Sequence, residues 1–153
     1  IIRKSKKIIR LMKTIEELQN EIVQEFEAFG DWMEKYNYII ELAKTLQPFK
    51  EEYRTKEHLI QGCQSQVWLG AEYIDGKIYF YADSDAIITK GIIALLLRVL
   101  SGQSPQDILT TELWFVEKIG LASHLSPTRS NGLLSMIKQI KMYALAYKTK
   151  YNL

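Results

Sequence analysis

Apolar positions recur at helical spacing directly after Lys13. Thr14-Ile15-Glu16-Glu17 fits a capping box, in which a hydroxyl acceptor is followed three residues later by a glutamate. Behind it, Ile15, Leu18, Ile22, Val23, Phe26 and Phe29 mark one face of a helix, and Gly30 is expected to end it. Asp31 then caps a second helix with Glu34 at its third position. Trp32, Met33, Tyr36, Ile39, Ile40, Ala43 and Leu46 form its expected apolar face, and Pro48 stops it.

The period changes to two from Ser65 onward. Val67, Leu69, Ala71 and Tyr73 point one way, against Trp68, Gly70 and Glu72. Asp75-Gly76 is a two-residue hairpin signal, and Ile78 and Phe80 return against Tyr79 and Tyr81. His58-Leu59-Ile60 reads as a further short strand, so the sheet is expected to be antiparallel with about three strands. Asp83-Ser84-Asp85 closes the sheet and offers caps to a helix from about Ala86 to Leu100. That helix is apolar on most sides, which places it in the centre of a domain. Ser104-Pro105 opens a short helix, Glu112 to Ile119 a second ended by Gly120, and Ser126-Pro127 a last long one with a basic end. The pattern predicts one α+β domain, with several helices packed against a small antiparallel sheet.

Length agrees with a single domain: 153 residues and 47% hydrophobic positions suffice for a core without covalent staples. Charge is uneven. Residues 1–11 hold Arg3, Lys4, Lys6, Lys7 and Arg10 and no acid; the remainder has 15 bases against 18 acids. The mildly acidic body argues against nucleic-acid binding. We expect residues 1–11 to be a basic leader outside the domain, in preference to a segment that touches a membrane or partner, and residues 12–153 to form the domain itself. No stretch has the length and apolarity of a membrane span. With one thiol and no secretory signal, the expected compartment is the cytoplasm.

That thiol, Cys63, is the single cysteine, which excludes an intrachain disulfide and any site built from two thiolates. Its neighbours Gln61, Gly62, Gln64, Ser65 and Gln66 are polar or tiny, unlike the apolar run around a core filler. The sequence therefore presents it in a polar turn at the entry to the first long strand. No Lys or Arg lies between His58 and Gly70, so any cation that favours the thiolate comes through the fold, with Arg129 a candidate. The two histidines lack ligand spacing and no metal site is expected. Pairing Cys63 with His124 would make a thiol hydrolase, yet nothing local offers the orienting group or oxyanion hole. Asp83 and Asp85 read first as helix caps.

Four blocks, in order, resemble the SufE family of sulfur acceptors. These are Trp32-Met33-Glu34-Lys35-Tyr36; Gln61-Gly62-Cys63-Gln64-Ser65-Gln66-Val67-Trp68; Asp83-Ser84-Asp85-Ala86 leading into Thr89-Lys90-Gly91; and His124-Leu125-Ser126-Pro127-Thr128-Arg129-Ser130-Asn131-Gly132-Leu133. The likeness spans roughly residues 14–147. It implies an α+β fold similar to IscU-type scaffolds. It further implies that Cys63 takes persulfide sulfur from a pyridoxal-phosphate cysteine desulfurase of the SufS type, stimulates that enzyme, and delivers the sulfur to an iron–sulfur scaffold complex. The pyridoxal phosphate would sit on the desulfurase, and this chain would bind no cofactor. Gln61, Gly62, Gln64 and Ser65 would support the loop, with Gly62 as its hinge. Asp83, Asp85, Arg129 and His124 are candidates for partner contacts or the persulfide's surroundings. Val67, Leu69 and the run from Ile92 to Leu97 are available to shelter the persulfide. A module that docks a desulfurase without transferring sulfur remains the alternative.

Overall fold

The structure, a computed structural model, describes residues 13–153; the leader read at residues 1–11 lies outside the described residues. Helix α1 (Ile15–Glu27) starts with the capping box intact: Thr14 Oγ1 accepts from the Glu17 N–H at 3.1 Å while Glu17 accepts from the Thr14 N–H. It ends at Ala28, two residues before Gly30, whose N–H instead donates to Glu34. Helix α2 (Trp32–Leu42) is capped by Asp31 and runs into a 3₁₀ turn over Ala43–Thr45. Ile39 and Leu42 enter the core. Met33 does not: at about 100° per residue it lies about 120° from Ile39 and about 180° from Leu42, on the far side of the helix, and is 66% exposed.

Strands β1 (Val67–Ile74) and β2 (Lys77–Ser84) pair antiparallel, with Gly70 opposite Tyr81. Asp75 and Gly76 both take positive φ, 50° and 81°, the backbone that a tight two-residue hairpin requires. The described sheet has two strands rather than about three. Leu59 makes a single bridge to Trp68, and the Ile60 N–H reaches the Val67 carbonyl at 2.8 Å. A 3₁₀ turn over Lys56–His58 precedes this pair and the Gly62 turn follows it, so no extended run is left to lengthen into a strand. Segment 49–58 crosses the outer face of the sheet. Tyr53 lies over Gly70, Arg54 sits over the rings of Phe49 and Trp68, and Lys50 pairs with Glu72.

Helix α3 (Ile87–Leu100) buries 11 of its 14 residues and touches α1, α2, β2 and the last helix. At Gly91 any side chain would overlap the backbone carbonyl of Ile39, so glycine lets α2 and α3 approach closely. Ser104 caps α4 (Pro105–Thr110) as expected. The next helical stretch is shorter than the pattern predicts, α5 (Phe115–Lys118), and a single turn, α6 (Leu121–His124), follows Gly120. Helix α7 (Pro127–Lys150), capped by Ser126, places Leu133, Met136, Ile140 and Ala144 in the core; Leu134, apolar and next in the chain to Leu133, is exposed.

Leu96 is fully enclosed in α3 while Leu134 faces water. Leu96→Ala is expected to lower the unfolding free energy by about 2–5 kcal/mol, and Leu134→Ala by less than about 0.5 kcal/mol. Urea unfolding followed by circular dichroism checks both; equal losses would contradict the packing described.

Candidate functional site

Residues 61–66 form a turn that links the segment strapped across the sheet (residues 49–58, the strap) and the Leu59–Ile60 pair to β1, pressed onto the first turns of α7. Gly62 has φ +91°, and a side chain there would overlap Ser135 of α7, so both backbone shape and close approach demand glycine. Cys63 follows, half-buried, with its thiol donating to the Gly132 carbonyl at 3.7 Å. Gly132 is buried and has no side chain, which lets the sulfur rest directly against the helix backbone. Beside it is a cavity of about 100 Å³ whose walls include Thr89 and Ile92 of α3 and Thr128, Gly132 and Met136 of α7. Val67 and Leu69, expected to shelter a persulfide, point into the main core instead; of the residues singled out for that role, Ile92 alone lines the cavity. Burial pushes the Cys63 thiol above its ordinary pKa by disfavouring the charged form.

The far end of the turn is fastened by Asp85. Its Oδ1 accepts from the Gln66 N–H at 3.0 Å, its own N–H donates to the Gln66 carbonyl, and the Ser84 hydroxyl donates to the same carbonyl at 2.8 Å. Asp83 is held by Arg54 at 2.8 Å and Lys90 at 3.2 Å. Burial alone would raise the Asp83 carboxyl, but hydrogen bonds from those two cations outweigh it and hold it below the usual carboxylate range. Neither aspartate therefore caps α3, whose N-cap is Ala86 with no side-chain bond. The capping expectation fails because both carboxylates find tertiary partners, one a backbone amide and the other a pair of cations.

Arg129 reaches the site and is the charged residue among those lining the cavity. Its guanidinium donates to the Tyr36 hydroxyl at 3.2 Å, and it does nothing to offset the thiol's burial. Gln64 and Ser65 line the cavity, while Gln61 is exposed on the turn. His124 is elsewhere: its ring stacks on Trp32 with centroids 4.2 Å apart, and Nδ1–H donates to the Gly120 carbonyl. No imidazole lines the thiol cavity, which removes the local support for a Cys–His hydrolase. Among the described residues no cluster of His, Cys, Asp or Glu has the makings of a metal site, and no helix is long and apolar enough to cross a membrane. Thr89, Thr128, Gly132, Met136, Arg54 and Tyr36 escaped the sequence reading as site residues. The spacing of 128, 132 and 136, one helical turn apart each time, is the signal that would have placed three of them on one face.

Among solved structures, this arrangement resembles the solution structure of a hypothetical protein from Thermus thermophilus. The TM-score is 0.72 at 20% identity, covering 86% of this chain and 96% of that one. At that identity the likeness speaks for the fold: an α+β domain with helices around an antiparallel hairpin. Over residues 20–144 the sequence matches the SufE family, described as the Fe-S metabolism associated domain. The chain belongs to the SufE family, and membership associates it with iron–sulfur metabolism and implies interaction with a cysteine desulfurase.

Two outcomes follow from the loop's anchors and the buried thiol. Asp85→Ala removes one acceptor from the turn, worth roughly 1 kcal/mol, and should speed alkylation of Cys63 by iodoacetamide about fivefold; an unchanged rate would mean that Asp85 does not hold the turn. In the folded protein that rate should rise with pH to a midpoint above the ordinary thiol value, and in urea the midpoint should fall back to it. Equal midpoints would contradict the burial effect.

Proposed function

We propose that this protein accepts persulfide sulfur on Cys63 from a pyridoxal-phosphate cysteine desulfurase of the SufS type and delivers it to an iron–sulfur scaffold complex in the cytoplasm. The observation that carries the reading is the lone thiol in a glycine-hinged turn beside a small cavity, in a chain of the SufE family. In the transfer step the Cys63 thiolate attacks the outer sulfur of the donor's cysteine persulfide. The donor's sulfur–sulfur bond breaks, its inner sulfur leaves as a thiolate with the electron pair, and Cys63 becomes the persulfide. No net oxidant or reductant is consumed.

The thiol has to lose its proton first. Against α7 burial keeps it neutral, so this conformation stores rather than reacts. Rotation about Gly62 would lift Cys63 into water or into a partner's site, where the thiolate becomes accessible. On return, the cavity lined by Ile92, Thr89 and Met136 would receive the added sulfur.

The test is to incubate the protein with a desulfurase from the same organism, cysteine and pyridoxal phosphate, and read intact mass without reductant. Cys63 should gain whole sulfur atoms of about 32 Da each, and Cys63→Ser none. If Cys63→Ser stimulates the desulfurase as well as the parent does, the protein is a docking module rather than a carrier.

A further inference from the structure

Helix α7 breaks a general pattern. A surface helix buries one apolar stripe and shows a polar face to water. Here the stripe of Leu133, Met136, Ile140 and Ala144 is buried, yet the opposite side carries Leu134, Met142 and Leu145 at 64%, 52% and 54% exposure. At 100° per residue these three fall with Lys138 in one band, which runs about 16 Å along the helix from Leu134 to Leu145.

Its charge is equally one-sided. From Pro127 to Lys150 there are five bases and no acid, in a body that is otherwise acidic on balance. None of the five forms an ion pair among the described residues, although bases elsewhere in the protein do. Lys141 and Lys148 are turned onto carbonyl or amide oxygens of α4 and its flanks, and Lys138, in the middle of the band, has no partner among the described residues. A helix C-terminus accounts for Lys148 and Lys150, but not for Lys138.

Position gives the band a role. Leu134 adjoins Ser135, the residue on which Gly62 rests, so the band begins beside the cysteine turn and leads away from it. We propose that this outward face of α7 is the docking surface for the sulfur donor, through a segment of that protein that is acidic with apolar residues interleaved. The proposal rests on the carrier reading above and adds the surface and the chemistry of the partner it fits. Leu134, Met142 and Leu145 supply apolar area, and Lys138 selects the charge. A donor seated there lies against the turn it must open.

The test measures Cys63 persulfide loading by a desulfurase from the same organism, against concentration of the full chain. Lys138→Glu and Leu145→Glu should each raise the half-saturating concentration about fivefold or more, with the maximal rate kept. Lys118→Glu, the same charge change at an exposed position of α5, should leave it within twofold. All three sites are exposed, so thermal unfolding is expected to be unchanged and serves as the check on folding. Half-saturation unmoved in both α7 variants while the parent loads normally would overturn the docking surface and leave the carrier reading standing. A parent that never gains sulfur would overturn the carrier reading and this proposal with it. Binding to phosphatidylserine vesicles that is lost in the two α7 variants, with loading unaltered, would overturn the proposal in favour of a lipid surface.

Discussion

A helix that is apolar on nearly every side has to be covered on nearly every side, and α3 imposes that constraint on the whole domain. From Ile88 to Leu100 it offers no polar face that water could take; α1, α2, β2 and α7 supply the cover. Burying each Ile or Leu contributes roughly 1.5–3 kcal/mol, so this one element concentrates much of the driving force for folding. Its N-terminal end then fixes the surroundings of the thiol. The first two turns bring Thr89 and Ile92 to one wall of the cavity. The link from β2 into α3 sets Asp85 opposite Gln66. The packing of α7 against α3 sets Gly132 and Met136 at the other wall.

The cysteine turn is held on different terms. It rests on a few hydrogen bonds to Asp85 and Ser84, one weak thiol contact to Gly132, and the shape match of Gly62 with Ser135. Each hydrogen bond contributes about 1 kcal/mol net, far less in total than the apolar area under α3. The turn can therefore open locally while the core stays intact. Pinning at both ends keeps that motion short. Asp83 reinforces the frame rather than the turn, since Arg54 ties the outer strap to the end of β2 and Lys90 ties it to α3.

Much of this was legible in the sequence because it is local. The capping box at Thr14, the caps Asp31, Ser104 and Ser126, and the Asp75-Gly76 turn depend on residues within four positions of one another. The place of Cys63 in a turn before β1 followed from its polar neighbours and from the resemblance to SufE proteins. What escaped depends on the tertiary fold. Asp83 and Asp85 have the right residue type for caps, and only the approach of Arg54 and Gln66 diverts them. Leu59 and Ile60 have strand-like side chains, yet the turns on either side leave them one bridge. Met33 and Leu134 are apolar at helical spacing, and only the helix's rotation against its neighbours shows that they face water. His124 shares a motif with Arg129, but the stacking on Trp32 takes it away from the thiol.

Burial of the thiol has a further consequence for any chemistry at Cys63. On the proposed carrier reading, the environment that would shelter a persulfide is the same one that disfavours the thiolate needed to form it. Arg129 at the cavity wall leaves this conflict in place, because its guanidinium is directed to Tyr36 and burial governs the thiol. For the proposed sulfur transfer, one fixed conformation would not serve both purposes. On that reading the turn would alternate between a state against α7, neutral and protected, and a state away from it, ionisable and reactive. A partner shifts that equilibrium only so far as it binds the open state better than the closed one. Contacts made beside the turn meet that requirement where they compete with the Gly62–Ser135 packing. Docking to a remote face of the domain would bring the partner near and leave the thiol where it was.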